Sequence, residues 1–239
     1  MTNPVPLNNV AHKALRVNTT RSAACGDAVM YAITFPGEFR NIQSSYPIVF
    51  HKRADTGQFQ PIALLGFEPD ENLFLTGAGW DAAYIPLSIE RLPFLIGSQR
   101  APGAGTEPEL MIHVDLDSPR VSLTAGEPVF REYGGTTEYL DRINSILNAL
   151  HEGLKETTAF VEALLALDLL ESFVLDVQLK DQSQHRLAGF YTVNEERLRA
   201  VDGAAIAALH AQGFLEPLYM IVASTVHFRD LIDRRNRRL

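Results

Sequence analysis

Tyr46-Pro47-Ile48-Val49-Phe50 and Gln58-Phe59-Gln60-Pro61-Ile62-Ala63-Leu64-Leu65 are two apolar runs rich in β-branched and aromatic residues. Such residues fit a pleated, half-buried surface. Ala54-Asp55-Thr56-Gly57 between them supplies a turn, so the segment reads as a β-hairpin. The same signals continue outward. Strands are expected over 72–75 and 82–85, around Thr76-Gly77-Ala78-Gly79, and Pro86 then permits a short helix over 87–92. Residues 97–108 are rich in glycine and proline and mark a mobile loop or a subdomain boundary. A strand over 109–116 comes next, with His113 and Asp115 on one face.

Helical periodicity starts near Thr136. Leu140, Ile143, Ile146, Leu147, Leu150 and Leu154 form one stripe. Gly153 and Thr157-Thr158 suggest a break, after which a second helix carries Phe160, Val161, Leu164 and Leu165. Alternation at Phe173, Leu175, Val177 and Leu179 predicts a strand, with a turn over 181–184 and a return strand over 187–193. Asn194 and Asp202 are N-caps of short helices, and Gly213 ends the second. Residues 217–223 read as a strand. Ser224 or Thr225 then caps a last helix that docks through Phe228, Leu231 and Ile232.

The pattern predicts an α+β fold, mainly antiparallel sheet, with a β-rich N-terminal part and a helix-rich C-terminal part. Residues 1–45 carry few periodic signals and are expected as an irregular arm ahead of a single domain over 46–239. The composition, 46% hydrophobic and 21% charged, is that of an ordinary globular chain. Its single cysteine, Cys25, excludes an intrachain disulfide and fits a reducing compartment. A net charge of −8 argues against nucleic-acid binding. No export signal or apolar run of bilayer length is read in the sequence, so no membrane insertion and a cytoplasmic location are expected. Five arginines crowd residues 229–239. They read as a solvated final turn, or as a contact for a protein partner.

Glu71-Asn72-Leu73-Phe74, Trp80 to Pro86, Arg91-Leu92-Pro93-Phe94, Gly126-Glu127-Pro128-Val129-Phe130 and Leu187 to Glu196 come after the opening strand in that order. In these blocks and their order the chain resembles the SapC family of bacterial proteins. The family is named after surface-layer gene sets. Its members are often encoded beside TonB-dependent receptors and flavin-dependent halogenase-like proteins. The resemblance implies no reaction and no ligand set. A membrane permease needs several spanning helices, which are not read here.

Two constellations could carry function. Tyr46, Phe50, Phe67, Phe74, Trp80, Tyr84 and Phe94 would line a pocket for a small aromatic or apolar ligand, with Glu71, Asn72 and Asp81 as polar fixings. The alternative is that these aromatics are core. The site residues put forward are Tyr46, Phe50, Glu71, Asn72, Trp80, Asp81 and Tyr84. The second constellation is His113-Val114-Asp115. With a distant His185 or His210 it would match the two-histidine, one-carboxylate triad of non-haem iron oxygenases; a polar strand face explains the same residues. There is no Gly-x-Ser-x-Gly elbow and no phosphate loop, and Cys25 has no base beside it in sequence. The preferred function is therefore a non-catalytic binding or accessory protein working with a receptor, transport or modification system, without a resident cofactor. A metal-dependent oxygenase and a surface-layer structural protein are the alternatives.

Overall fold

The computed structural model describes residues 3–99 and 109–239. The fold is α+β, with antiparallel sheets and helices concentrated in the C-terminal half. Contacts divide the chain into two compact units, each discontinuous in sequence. One is Met1–Asp27 with Leu87–His151; the other is Ala28–Pro86 with Glu152–Leu239.

The first unit is built on strand Glu109–Asp115, which pairs antiparallel with Phe94–Gln99 on one side and Pro4–Pro6 on the other. A second small sheet centres on Arg16–Val17, flanked by Val121–Ser122 and Glu127–Pro128. Its polar anchor is Arg120, whose side chain is only 1% exposed. Arg120 donates to Asp27 Oδ1 at 2.6 Å and to the carbonyls of Asn18 and Thr20 at 2.9 and 3.0 Å. A buried guanidinium is tolerable only with such partners. The N-terminal segment is thus not the irregular arm expected. Its strands are two or three residues long, too short for a periodic signal, and their partners lie about a hundred residues away. Of the loop expected over 97–108, residues 100–108 lie outside the described residues.

The second unit carries a five-stranded antiparallel sheet in the order Leu170–Gln178, Gln184–Val193, Ile48–Lys52, Phe59–Leu64, Tyr31–Ile33. The hairpin of the opening sequence is present, with Ile48 opposite Ala63 and Lys52 opposite Phe59. The expected strands at 72–75 and 82–85 contract to a tight hairpin, Leu75–Thr76 against Gly79–Trp80. Asn194 and Asp202 cap their helices as expected, accepting from Arg197 N and Ala205 N at 2.8 Å.

Two helical expectations fail for identifiable reasons. Residues 217–223 are not a strand but lie in helix Leu215–Ser224. Pro217 sits in its first turn, where no intrahelical N–H is needed. Leu218, Ile221 and Ser224 face inward at helical spacing. Ser224 Oγ donates to Ile221 O at 2.7 Å and accepts from Ile48 N at 2.9 Å, joining helix to sheet instead of capping the next helix. Nor does Gly153 break the long helix, which runs unbroken over Glu138–Ala166. A Cβ on Gly153 would lie 2.0 Å from the buried ring of Phe35. The glycine makes room for an aromatic ring.

Gly153→Ala should therefore destabilise the protein. The helix would gain about 1 kcal/mol in propensity, but overpacking against Phe35 should cost about 1–3 kcal/mol. A lower urea midpoint for Gly153→Ala, recovered in part by adding Phe35→Leu, is the expected result. A raised midpoint would mean that the ring moves aside freely.

Candidate functional site

Gly66 opens a turn in which Glu71 approaches so closely that a Cβ on Gly66 would lie 2.6 Å from the Glu71 carbonyl oxygen. The Glu71 carboxylate folds back to accept from Phe67 N at 2.8 Å. Asn72 caps the next turn, accepting from Phe74 N at 2.9 Å. Both side chains are buried. They serve as local hydrogen-bond acceptors within the fold.

Tyr46 is fully buried, yet its hydroxyl is saturated. It accepts from Trp80 Nε1 at 2.8 Å and donates to the Tyr84 carbonyl. Tyr84 in turn donates from its own hydroxyl to Glu38 Oε1 at 3.0 Å, and buried Glu38 accepts from Thr34 Oγ1 at 2.7 Å. The ring of Tyr46 meets Phe74 edge-on at 4.6 Å. Phe50 is fully buried. So five of the residues expected around a ligand, Tyr46, Phe50, Glu71, Asn72 and Tyr84, are framework, engaged in the core or in hydrogen bonds. Trp80 is half-buried with its N–H committed to Tyr46, and Asp81 is exposed.

The C-terminal helix His227–Asn236 docks on this framework. Phe228 and Leu231 are buried, and the ring of Phe228 stacks on Phe173 at 4.8 Å. The arginines do not all stay in water as expected. Arg234 donates to Asp81 Oδ2 at 2.6 Å and to Asp81 O at 2.9 Å, and lies over the Phe74 ring at 4.2 Å. Arg235 pairs with Glu71, and Arg238 donates to the Asn72 and Leu75 carbonyls at 3.0 and 2.5 Å. Only tertiary structure brings these arginines to carboxylates some 150–165 residues earlier in the chain. Arg229 and Arg237 remain exposed.

The metal candidates sit together on one strand but are otherwise engaged. Asp115 Oδ1 accepts from Asn3 N at 2.8 Å and from Asp117 N at 3.2 Å. The His113 ring covers Gly97, where a Cβ would lie 2.2 Å from it, and its Nδ1 is 3.2 Å from Met111 O. His185 pairs with Glu68 at 3.2 Å, and His210 is exposed. Among the described residues no three His, Cys, Asp or Glu side chains are grouped to hold a metal ion.

Open space lies elsewhere. A groove of about 460 Å³ separates the tip of the first hairpin, from Arg53 to Gln60, from the helix face bearing Leu154, Val161 and Leu165. Leu154, the last residue of the apolar stripe, and Leu165, from the segment expected as a second helix, are 38% and 47% exposed and border this groove. No helix among the described residues is long and apolar enough by itself to cross a membrane.

The family model SapC matches residues 7–231. The chain belongs to the SapC family. No curated protein and no solved structure matches it. The match in SapC ends at Leu231, so it takes in the buried anchors of the last helix and stops before Arg234.

Removing Arg235 should leave the Glu71 carboxylate buried without its cation. Arg235→Ala should cost about 1–3 kcal/mol, whereas exposed Arg229→Ala should cost under about 0.5 kcal/mol. Denaturant melts of the two variants test this, and equal costs would show that the pairing contributes nothing. Alkaline pH probes the tyrosines. Burial pushes the Tyr46 hydroxyl well above its ordinary value, and pushes Tyr139 to about 12. The folded chain keeps protons that the unfolded chain loses near pH ~10, so stability is retained below that pH and falls above it. The ultraviolet tyrosinate band should show Tyr46 and Tyr139 ionising only as the protein unfolds. Full titration of all tyrosines in the folded state would contradict this.

Proposed function

We propose that this SapC protein is a non-catalytic binding or accessory protein, serving a receptor, transport or modification system. The groove between hairpin and long helix holds its small aromatic or apolar ligand. One observation carries the reading: Leu154 and Leu165 stand exposed beside Val161 and face Phe59 across a space of about 460 Å³. That volume is typical of a small-molecule site. Spacings of four, three and four along Leu154, Thr158, Val161 and Leu165 put all four on one helix face. Apolar side chains so aligned recover burial energy when an apolar ligand covers them, about 25 cal/mol for each Å² removed from water. Thr158 supplies a hydroxyl that would orient such a ligand, whereas Thr157 Oγ1 already donates to Gly153 O and the Gln60 amide to the Thr34 and Pro61 carbonyls. The sequence-level pocket at Tyr46 and Trp80 is replaced in this reading, because its polar atoms are engaged within the fold.

A thermal-shift screen with small aromatic and aliphatic compounds tests the proposal. A ligand at a hundredfold excess over its Kd should stabilise the protein by about 2.7 kcal/mol. Leu165→Glu should abolish the shift while changing the unliganded stability by under about 0.5 kcal/mol. A hit that survives both Leu154→Glu and Leu165→Glu binds elsewhere and overturns the assignment. So does a screen that yields no hit.

A further inference from the structure

The face of the C-terminal helix that carries His227, Asp230, Arg234 and Arg237 borders a second pocket, of about 310 Å³, closed on its other side by Ser44, Ser45, Phe74 and Ala82. Spacings of three, four and three residues put those four side chains in one stripe along the helix. The pocket shares no lining residue with the hairpin groove, so binding here is independent of the role proposed for that groove.

The donors here are unevenly spent. The Arg237 guanidinium makes no hydrogen bond or ion pair among the described residues and is exposed. Arg234 is fixed in place, 18% exposed, by Asp81 and by the Phe74 ring. Its two contacts to Asp81 use two of five N–H groups and leave three unspent. The Ser44 hydroxyl donates to Asn41 O at 2.7 Å, while among the described residues Ser45 Oγ has only the 3.4 Å contact to Ser44 Oγ. The one carboxylate in the lining, Asp230, is engaged by His227 Nδ1 at 2.7 Å, and the other nitrogen of that ring faces Gln43 O at 3.0 Å. A rigid arginine, an unpaired arginine and a hydroxyl-bearing serine therefore line one small space.

We propose that this pocket binds the phosphate group of a small phosphorylated molecule. Guanidinium forks bind phosphate oxygens in pairs through charge-assisted hydrogen bonds. Three donor groups from two separate elements suit a tetrahedral anion with three free oxygens better than a planar carboxylate with two. Local charge favours an anion here as well. Arg234 and Arg235 are already paired with Asp81 and Glu71, and the unpaired positive charge at the pocket is that of Arg237. Arg234 is already held by Asp81 before any ligand binds, so little of its side-chain ordering remains to be done on binding.

Calorimetric titration of the full chain at constant ionic strength tests the site, with inorganic phosphate, phenyl phosphate, benzoate and chloride as probes. Phosphate and phenyl phosphate should saturate a single site, and chloride should not. Arg237→Gln should weaken phosphate binding about tenfold, the scale of one charge-assisted hydrogen bond. Its thermal melt should stay unchanged, and exposed Arg229→Gln, outside the pocket, should leave binding intact. Absence of saturation, unaltered binding in Arg237→Gln or equal weakening in both variants would each overturn the proposal. Tighter binding of benzoate than of phenyl phosphate would overturn it too, because the site would then select carboxylates.

Discussion

The carboxylate of Glu71 is the point on which the second unit depends. It sits at the end of a turn made possible by Gly66, where the backbone approaches too closely for any side chain. One oxygen accepts from Phe67 N and the other from Arg235 at the far end of the chain. A buried carboxylate without such partners would cost far more than the turn could supply. With them, it fixes the turn after the central hairpin and the last helix in one step. Arg234 and Arg238 repeat the contact on either side, through Asp81 and through two carbonyls. The helix is thus held by Phe228 and Leu231 beneath it, by Arg234 and Arg235 along its flank and by Arg238 just past its end.

That arrangement changes how the aromatic block is understood. Tyrosine, tryptophan and carboxylate side chains gathered in a short stretch suggest a ligand site. Here their polar atoms satisfy one another: Trp80 to Tyr46, Tyr46 to the Tyr84 backbone, Tyr84 to Glu38, Thr34 to Glu38. Buried polar groups demand this, because an orphaned donor in a core costs about 1–3 kcal/mol. The unspent capacity lies outside the network, in exposed Leu154 and Leu165 and in the free fork of Arg237.

Much of the secondary structure was legible in the chain. The first hairpin, the strand pair around 181–184, the long helix and the caps at Asn194 and Asp202 arise from local periodicity and local hydrogen bonding. The differences between sequence pattern and structure share one cause. Gly153 suggested a helix break, because nothing local reveals the ring of Phe35 beside it. Residues 217–223 resembled a strand, because a short apolar run fits either period, and the contact of Ser224 with Ile48 that belongs to the helix is invisible in sequence. The N-terminal strands went unseen because their partners are distant.

By itself the sequence determined the α+β class, the SapC membership and the apolar anchors of the last helix, since composition, block order and periodicity are properties of the chain. Only the tertiary structure decided which polar residues were free. Whether Glu71, Tyr46 or Arg234 can meet a ligand depends on partners 34 to 164 residues away. Hydrogen-bond satisfaction is set by distance in space, and spacing along the chain carries no trace of it.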